Sequence, residues 1–536
     1  MRRSVLALGA ILLFARLGSP ALWQDESETA LRAVSILRTG LPRTTLDGVL
    51  VSAQPSLAKF EGTESGVWTW NTWLPAYLTA ASFATLGQSP FSARLPFVLC
   101  AFLTLWLFVR LLDDERAADA GLVLLALSPA FLLFSRQSRY YSLTALGTVL
   151  VFLAWRRLLA NKKHGELAVV LSLQFLLHSS FAFFAVACAA LAADAVLRGR
   201  ECLKKPFAVV AGATFALTLP VVWYFRLWDR PGNHQYAFVE SFEFLKTFLL
   251  WSSMFALPAV LPAAVALKRR DYYPVAGGFV LLCAMVSEGA ISRGAAAGAL
   301  LWIVALALRA TGTRRLAWLW LAASLGLLSL TAAEPYGRYL MGVFPVFAYL
   351  GGLWIVELGA GALAMAVFFV TINLAGWLPL AAAKLISGPK EPAVSVSGMM
   401  RQRLRDIRPR SDLMRFAGEL ARGPRGYIEP AIAAVRERGG STAFSDADNL
   451  SLLFAAGIKP VYKDELSTVK PDWLLLSPWL RLDGQALLAV SALAAGGAYE
   501  PVPVSAPVLA WQNNPDPLFR DFSPRVGPLA LFRRRP

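Results

Sequence analysis

The stretch SVLALGAILLFARLGSPAL, residues 4–22, runs directly into Trp23-Gln24-Asp25-Glu26. An apolar segment of this length can cross the hydrocarbon core of a bilayer as a helix. The start, Met1-Arg2-Arg3, also resembles a signal peptide, with Ser19-Pro20-Ala21 as its cleavage site. We favour an uncleaved first helix because many more apolar segments follow it. The acidic pair would then lie at the outer face of the membrane.

Apolar windows of spanning length recur along the chain. The thirteen predicted spans cover approximately residues 4–22, 94–112, 117–134, 140–159, 164–180, 181–198, 206–227, 244–267, 272–289, 293–310, 314–332, 338–357 and 361–383. The composition agrees, because only 16% of the 536 residues are charged, whereas a typical soluble protein has about 25%. The sequence therefore predicts an α-helical polytopic membrane protein.

Basic residues alternate between loops as the positive-inside rule requires. With the N-terminus in the cytoplasm, the predicted inside loops hold Arg110/Arg116, Arg156/Arg157/Lys162/Lys163, Arg198/Arg200/Lys204/Lys205, Lys268/Arg269/Arg270 and Arg309/Arg314/Arg315. The predicted outside loops are poorer in Lys and Arg. The net charge of +17 is thus spread over short loops. This distribution argues against a nucleic-acid partner, which would need one basic face.

Two long segments leave the bilayer in this prediction. Residues 23–93 carry amphipathic stretches at Glu28–Leu37 and Trp70–Leu86, which are expected to lie along the membrane surface. Residues 385–536 predict a small α/β domain, with helix-like and strand-like runs at Ser411–Arg422, Glu429–Arg438, Thr442–Phe444, Trp473–Leu476 and Val502–Trp511. The predicted division is therefore a transmembrane domain over 1–384 and a soluble domain over 385–536.

The odd number of spans places residues 385–536 outside the cytoplasm. Ten arginines within 401–438 would suit the cytoplasmic side instead, but the positive-inside rule is weak for long domains. We therefore keep thirteen spans. A reporter fused after Gly398 that is active only in the cytoplasm would remove one of them.

Asp25 and Glu26 are the candidate catalytic residues, because adjacent carboxylates at the outer membrane face could supply a general base. The alternative is helix capping. Asp25 would then cap a helix over Glu28–Leu37, with Glu28 three residues further on as in a capping box. Residue types alone favour capping.

The segment SRQSRYY, residues 135–141, joins spans three and four on the same outer side. Arg136 and Arg139, with Tyr140 beside them, could bind a lipid phosphate, which accepts guanidinium hydrogen bonds bidentately. The alternative is interfacial anchoring, in which tyrosines and snorkelling arginines hold helix ends at the membrane surface. Taken alone, the segment favours anchoring.

Three further candidates lie on the outer side. Arg338 and Tyr339, at the start of span twelve, form a second candidate phosphate site, with Glu334 as the partner of Arg338, although anchoring is again the alternative. Arg94 begins span two, where a snorkelling arginine is the ordinary interpretation. Lys59, in the first loop, could reach a phosphate. Each signal is weak singly, and their common side of the membrane strengthens the set.

No metal or redox site is evident from the cysteines and histidines. Cys100, Cys188, Cys202 and Cys283 match no zinc or redox spacing, so we expect no disulfide framework. The three histidines, His164, His178 and His234, are scattered along the chain. A divalent ion bound by Asp25 and Glu26 is the alternative. No cofactor is required by the prediction.

At these residues the sequence resembles bacterial GT-C glycosyltransferases, relatives of protein O-mannosyltransferases and of the aminoarabinose transferase that modifies lipid A. The resemblance covers most of residues 1–383. It rests on an ordered set: Asp25-Glu26, Gly40-Leu41-Pro42, Tyr77-Leu78-Thr79-Ala80, Leu86-Gly87, Ala93-Arg94-Leu95-Pro96, Ser135 to Tyr141, and Arg338-Tyr339. Residues 513–519, NNPDPLF, also resemble the C-terminal domains of some such enzymes.

One departure concerns the first loop, where many relatives carry Lys-Pro-Pro. This sequence has Ala53-Gln54-Pro55-Ser56-Leu57 there. Either the role of that lysine is not kept, or Lys59 substitutes for it.

The resemblance implies transfer of a hexose or pentose from a polyprenyl-phosphate donor, such as undecaprenyl phosphate, to an acceptor lipid, glycan or protein. It places the enzyme in the bacterial inner membrane, among membrane lipids, with its active site and C-terminal domain outside the cytoplasm. Asp25 would take the proton of the acceptor hydroxyl, and in-line attack would invert the anomeric carbon. Glu26 would orient the acceptor or Asp25, and arginines would stabilise the phosphate.

Two other functions fit the sequence. A transporter or lipid flippase would show internal repeats and ionisable residues near the bilayer midplane. No clear repeat is evident, and Arg16, Asp194, Glu288 and Glu357 all fall near predicted helix ends. A non-catalytic scaffold that presents residues 385–536 to a partner would tolerate Asp25→Asn.

Overall fold

The structure of the protein, a computed structural model, describes residues 1–53, 60–199, 205–228, 238–255, 289–332, 336–359, 361–364, 412–423, 428–446, 448–476, 490–493, 496–504 and 530–535, with positions 58, 265, 268, 367 and 426.

Helices make up most of the first two thirds of the chain. They are α1 Arg2–Phe14, α2 Gln24–Thr39, α3 Leu74–Leu86, α4 Pro90–Phe108, α5 Glu115–Ala126, α6 Pro129–Ser135, α7 Tyr141–Leu159, α8 Gly165–Ser179, α9 Phe181–Arg198, α10 Lys205–Tyr224, α11 Phe238–Phe255, α12 Gly289–Arg309, α13 Gly312–Thr331 and α14 Phe344–Leu358. A short hairpin joins β1 Thr45–Leu46 to β2 Val49–Leu50.

The C-terminal part mixes helices and strands. Its elements are α15 Asp412–Arg422, α16 Ile428–Arg438, β3 Thr442–Ser445, α17 Asn449–Ala456, β4 Lys459–Pro460, β5 Trp473–Leu476, β6 Tyr499–Val502 and β7 Ala530–Arg534. The predicted strands at Thr442–Phe444 and Trp473–Leu476 are confirmed. The predicted strand over Val502–Trp511 is wrong in its bounds, because β6 ends at Val502, and residues 505–511 lie outside the described part.

Two compact units divide the chain. Unit 1 comprises Met1–Leu13, Phe97–Arg136 and Tyr140–Phe416, and unit 2 comprises Phe14–Pro96, Gln137–Arg139 and Ala417–Pro536. Both units are discontinuous in sequence. The predicted division at residue 384 follows chain order and stays a prediction.

Helix pairs in unit 1 approach closely at glycines. A Cβ atom at Gly352 of α14 would lie 2.2 Å from the carbonyl oxygen of Ala117 in α5. One at Gly147 of α7 would lie 2.3 Å from Cδ2 of Leu176 in α8. Both distances are shorter than side-chain contacts allow, so these helices pair as they do because a small residue stands at each crossing.

Helix ends predicted to share the cytoplasmic side contact one another in unit 1. The contacts join Arg2 to Asp119, Arg156 to the carbonyls of Arg110 and Leu111, Arg198 and Arg315 to Asp194, and Arg314 to Glu357. The positive-inside rule assigned these loops to one side. Their contacts therefore agree with the predicted alternation of the helices.

Five helices in the described residues are long and apolar enough to cross a membrane: Pro90–Leu111, Tyr141–Leu159, Phe181–Arg198, Pro206–Tyr224 and Ala290–Arg309. Helices α5 and α6 would form a sixth span, bent by 61°. The predicted span at 272–289 lies almost wholly outside the described residues, and those at 244–267 and 361–383 lie partly or largely outside them. The count of thirteen therefore stays a prediction.

The first predicted span, 4–22, is wrong at its C-terminal end, because α1 ends at Phe14. In unit 2, the backbone that follows turns sharply, and Arg16 adopts a positive φ of 52°. Its carbonyls do not continue a helical ladder. They accept hydrogen bonds from the guanidinium of Arg94 at Leu17, Pro20 and Ala21. A side chain from another helix thus replaces helical bonding there.

Helix α2 is the central helix of the first part of unit 2. Its small residues, Ala30 and Ala33, pack with Ala80 and Phe83 of α3 in one apolar cluster. The predicted helix at Glu28–Leu37 is confirmed within α2, whereas the one predicted at Trp70–Leu86 begins later, at Leu74. Helix α2 is buried within the protein from Glu26 to Ile36, and the expected position of both helices along the membrane surface stays a prediction.

The C-terminal part of unit 2 is built on a five-stranded sheet. Its strand order is β4-β3-β5-β7-β6, with β3 parallel to β4 and β5, and β7 antiparallel to β5 and β6. Trp473 and Leu475 of β5 lie in one buried cluster, whereas Leu474 lies in another. Because successive strand residues point to opposite faces, both faces of the central strand are covered.

Residues near the first loop and the C-terminal sheet share one core within unit 2. Glu429 accepts a hydrogen bond from the Ala21 amide at 2.7 Å, and Gln24 accepts one from the Leu450 amide at 2.9 Å. Phe83 stacks on Phe454 with ring centroids 6.1 Å apart. These segments therefore lie on the same side of any membrane that the helices cross, which requires an even number of spans between them, as the twelve predicted there provide.

Candidate active site

The candidate site begins at the first turn of α2. Trp23 precedes the helix in an extended conformation, and Asp25 and Glu26 occupy the first turn. Carboxylates there are stabilised by the positive end of the helix dipole. The predicted capping arrangement is wrong, because the helix starts at Gln24 and the carboxylate that accepts the Trp23 amide belongs to Glu26, not Glu28.

Glu26 is fixed by donors on both of its oxygens. Arg94 donates from Nε to Oε1 at 2.8 Å and from Nη2 to Oε2 at 2.6 Å, and the Ser138 amide donates to Oε1 at 2.8 Å. Glu26 is 1% exposed and Arg94 5%. The expectation that Arg94 snorkels is therefore wrong, because its guanidinium points into the fold. This bidentate pair joins α2, α4 and the segment that contains Ser138.

Asp25 has a more open environment than its neighbour. Its side chain is 19% exposed, and the nearest nitrogen of Arg139 lies 3.9 Å from its Oδ2. Arg139 Nη1 also donates to the Asp25 carbonyl at 3.1 Å and lies 3.3 Å from Glu28 Oε2. Arg139 thus holds both the backbone and the carboxylate of Asp25. Of the two predicted catalytic residues, only Asp25 keeps an accessible carboxylate.

A buried charge cluster continues from Arg139 along α2. Arg32 lies 3.4 Å from the carboxylates of both Glu28 and Glu61, and Ser52 donates to Glu61 at 2.8 Å. The Arg32 guanidinium also donates to the carbonyls of Arg43 and Val51 and lies 4.7 Å from the centroid of the Trp68 ring. The sequence patterns did not predict this cluster. The spacing of Glu28 and Arg32, four residues apart on one helix, was its available signal.

Charges alternate through the cluster in the order Asp25, Arg139, Glu28, Arg32 and Glu61, so three acids face two arginines. Burial and the charge of Glu28 raise the pKa of Glu61 to about 7. Burial also lowers the pKa of Arg32, against the charges of Glu28 and Glu61. A proton on Glu61 makes the cluster electrically neutral, which suits its burial.

Arg136 and Tyr140 belong to unit 1, whereas the charge cluster on α2 belongs to unit 2. Arg136 donates to the carbonyls of Leu12 and Leu13 at 2.9 and 2.6 Å, so it caps the C-terminal end of α1. It is 6% exposed and lies 5.5 Å from the Phe416 ring centroid. Tyr140 precedes α7 and packs on Tyr141. The structure thus gives Arg136 a helix-capping role, and its phosphate binding stays a prediction.

Arg338 and Tyr339 lie on a short 3-10 turn, Gly337–Leu340, in unit 1. The Arg338 guanidinium lies 4.1 Å from the ring centroid of Tyr336 and 5.7 Å from that of Tyr339. Two aromatic rings thus hold one cation in place. Glu334, its predicted partner, and Lys59 lie outside the described residues.

An apolar cavity of about 690 Å³ also lies in unit 1, lined by residues of α7 to α10. Its lining includes Trp155, Phe184, Cys188, Val196 and Phe215. A cavity of this size with so few polar groups suits a hydrocarbon chain.

The residues present do not form a strong metal site. Across the described parts of the chain, no group of three or more His, Cys, Asp or Glu residues is arranged to hold a metal ion. The oxygens of Glu26 already accept hydrogen bonds from Arg94, Ser138 and Trp23. The pair proposed for a divalent ion therefore offers mainly Asp25, whereas Ca²⁺ takes six or more oxygen ligands.

Similarity to solved structures defines the class of fold. The chain has the GT-C fold of membrane glycosyltransferases. The predicted GT-C fold is thereby confirmed, whereas the number of spans is not established.

Particular solved structures share this fold. ArnT from Cupriavidus metallidurans bound to undecaprenyl phosphate matches with a TM-score of 0.51 and 12% identity over 99% of this chain and 97% of that chain. Its apo state matches with a TM-score of 0.53, at the same identity and coverage. The archaeal oligosaccharyltransferase AglB from Archaeoglobus fulgidus gives 0.43 at 13% identity, over 93% and 72%. No protein-family model matches the sequence, and no curated protein matches it.

Proposed function

We propose that the chain is a glycosyltransferase that moves a sugar from a polyprenyl-phosphate donor to an extracytoplasmic lipid, glycan or protein, with inversion at the anomeric carbon. The donor class is suggested by the fold shared with ArnT, a protein crystallised with undecaprenyl phosphate. The proposed site lies on the outer side of a bacterial inner membrane.

The observation that carries this proposal is the partial exposure of the Asp25 carboxylate. This carboxylate is the accessible member of the acidic pair, and it is held at the start of α2 by Arg139 while Glu26 is occupied by Arg94. A general base needs a fixed position and room for the group that gives up its proton. Asp25 has both.

In the proposed reaction, the acceptor hydroxyl gives its proton to Asp25 while its oxygen forms a bond to the anomeric carbon. The bond from that carbon to the phosphate oxygen breaks, and polyprenyl phosphate leaves with the electron pair. Attack opposite the leaving group inverts the anomeric carbon. The phosphate leaves as an anion, so it requires positive charge nearby rather than a proton.

The other residues have distinct proposed roles. Arg139 positions Asp25, and Glu26 with Arg94 fixes the turn that carries it. Arg338, between Tyr336 and Tyr339, is the proposed phosphate ligand, because its guanidinium is already held by two rings. Arg136, Tyr140, Glu334 and Lys59 remain candidates for the same phosphate.

The apolar cavity between α7 and α10 supports a long hydrocarbon donor. It is lined almost wholly by apolar groups, and an isoprenoid chain needs such a surface. By contrast, a transport role draws little support from Asp194, the acid buried in α9. Its oxygens are bound by Trp155, Arg198 and Arg315 where basic helix ends meet.

The test is turnover by the purified full-length protein in lipid nanodiscs. It is incubated with undecaprenyl-phosphate hexoses and pentoses and a membrane extract, and released undecaprenyl phosphate is measured. The proposal expects release from at least one donor, loss of release in Asp25→Asn, and normal release in Asp47→Asn, an exposed aspartate of the same loop. Lack of release from every donor, with water or extract as acceptor, would refute the proposal.

A further inference from the structure

Gln137 has a buried side chain. It is 3% exposed. Among the described residues, neither its amide nitrogen Nε2 nor its oxygen Oε1 takes part in a hydrogen bond. An amide offers two N–H donors and a carbonyl acceptor, so the whole hydrogen-bonding capacity of the side chain is unused.

Another glutamine of unit 2 shows the ordinary situation. Gln24, at the start of α2, accepts a hydrogen bond from the Leu450 amide at 2.9 Å. Buried polar groups in folded proteins nearly always have such a partner, and an exception calls for an explanation. A glutamine that serves only packing could be replaced by an apolar residue without this loss. The polar atoms of Gln137 are therefore better explained by a ligand than by the fold.

The two residues that follow Gln137 contact the first turn of α2, which carries the proposed base. The next residue, Ser138, donates its amide to Glu26 at 2.8 Å, and its hydroxyl lies 3.3 Å from that of Thr79. The residue after that, Arg139, holds Asp25. The segment 137–139 is thus fixed against the first turn of α2 at two consecutive positions. Gln137 is held by this segment, as a residue that reads a ligand must be.

We propose that the Gln137 carboxamide binds two adjacent hydroxyls of the sugar that is transferred, and so contributes to the choice of sugar. This inference rests on the proposed glycosyltransferase function. Sugar hydroxyls both donate and accept hydrogen bonds. An amide presents a donor and an acceptor side by side, so it can bind two neighbouring hydroxyls at once. Epimers that move one hydroxyl would satisfy only half of the amide.

The experiment compares three donors that differ at single carbons: undecaprenyl-phosphate glucose, its C2 epimer mannose and its C4 epimer galactose. Hydrolysis, with water as acceptor, is measured for the full-length wild type and for Gln137→Met, which keeps the length of the side chain. Gln137→Leu serves as a second variant. Gln24→Met is the matched control, because it removes a glutamine whose hydrogen bond serves the fold.

The wild type is expected to prefer one donor. Gln137→Met should lower kcat/KM for that donor by about tenfold or more and change the disfavoured epimer much less, since a site that hydrogen-bonds a hydroxyl discriminates by that bond. Its Tm without donor should be unchanged or higher, because two unpaired buried atoms are removed. Gln24→Met should lower Tm and leave the order of donor preference unchanged.

Three outcomes would overturn the inference. Equal loss for all three donors in both Gln137 variants would mean a structural role. Unchanged kinetics would mean that Gln137 does not touch the sugar. An effect that appears only with an added acceptor, and not in hydrolysis, would assign the amide to the acceptor. If the wild type consumes no donor at all, the proposed function fails and this inference fails with it, whereas the three preceding outcomes leave the proposed function standing.

Discussion

Two aspartates at helix ends, Asp25 in unit 2 and Asp194 in unit 1, show opposite uses of the same side chain. Asp194 is fully buried and accepts hydrogen bonds from Trp155 at 2.8 Å, Arg198 at 2.8 Å and Arg315 at 2.7 Å. Asp25 keeps 19% of its side chain exposed, and Arg139 Nη2 lies 3.9 Å from its Oδ2. A fully buried carboxylate bound by three donors ties helices together, whereas a partly exposed carboxylate can be reached by the group that gives up its proton.

The same contrast holds inside the acidic pair itself. Glu26 is 1% exposed and bound by the bidentate guanidinium of Arg94, while Asp25, one residue earlier, keeps 19% of its side chain exposed beside Arg139. Adjacent acids in one helical turn therefore divide into a structural member and a reactive one. The sequence alone did not separate them, because both are acids in the same turn.

The largest expected effect is on turnover in Asp25→Asn. Removal of a general base costs about a thousandfold in kcat, whereas binding of the donor should be nearly unchanged. Tm should also change little, because asparagine is nearly isosteric with aspartate and the Asp25 side chain is 19% exposed. Release of undecaprenyl phosphate and thermal unfolding measure the two effects. In the contrasting variant, Asp194→Asn, stability should fall first, and a large activity loss at unchanged Tm there would contradict the comparison.

The next largest effect is on stability in Glu26→Gln. This change leaves the buried Arg94 without its carboxylate, and breaking a buried ion pair costs about 3 kcal/mol or more. Thermal unfolding in nanodiscs should show the loss. Arg94→Leu is the comparison variant. It should lose more stability than Glu26→Gln, because it also removes the donor to the carbonyls of Leu17, Pro20 and Ala21. A Glu26→Gln protein with wild-type Tm and no turnover would instead make Glu26 a catalytic residue.

A smaller effect concerns pH and Glu61, whose pKa of about 7 exceeds its ordinary value of 4.5. The folded protein then keeps a proton that the unfolded chain loses between these two values. The contribution of protonated Glu61 to the free energy of unfolding is complete below pH 4.5, declines as the pH rises to 7, and is lost above pH 7. The total change is at most about 3 kcal/mol.

The variant Glu61→Gln imitates the protonated form and should remove this pH dependence. Its Tm should match the wild type near pH 5 and exceed it at pH 8. The facing charges, Glu28, Arg32 and Arg139, with Tyr462 nearby, are unchanged by the substitution. An identical decline with pH in both proteins would mean that another group titrates.

The smallest expected effect is on donor affinity in Arg338→Ala. Loss of one charge-assisted phosphate contact should raise the KM for the donor by about tenfold, with little change in kcat. Arg157→Ala, at the predicted cytoplasmic side, is the matched control and should leave KM unchanged. Equal KM values for the wild type and Arg338→Ala would show that Arg338 does not bind the phosphate and would favour the other candidate arginines.

Much of the fold was predictable because bilayer physics gives strong signals. Long apolar windows and the alternation of basic loops indicated the helices. Helix ends predicted to share the cytoplasmic side do contact one another, as Arg156 contacts the Arg110 carbonyl and Arg315 contacts Asp194. The strands Thr442–Ser445 and Trp473–Leu476 were also evident from their apolar runs. Where the prediction of α1 failed, distant side chains take the carbonyls instead: Arg136 binds those of Leu12 and Leu13 at the end of the helix, and Arg94 binds those of Leu17 and Pro20 beyond it.

The candidate site was predictable only in part. Asp25 and Arg139 were both predicted from their residue types and their common side of the membrane, and in the structure they do lie close together. The roles of Glu26 and Arg94 were not predictable, since a buried pair between residues 68 positions apart leaves no local pattern. The same holds for the contact between Arg32 and Glu61. Phosphate binding by Arg136, Arg139 and Arg338 stays a prediction.

The discontinuity of unit 2 has a consequence for biosynthesis. Helix α2 emerges early from the ribosome, yet the surface that covers it through Leu450 and Phe454 is made near the end of translation. The charged residues of α2 therefore remain uncovered while every intervening helix is inserted. Contacts between such distant parts of a chain form slowly, and exposed apolar surface in the interval invites aggregation. Truncation before residue 449 would therefore leave a nascent protein with an uncovered α2, a natural substrate for membrane quality control.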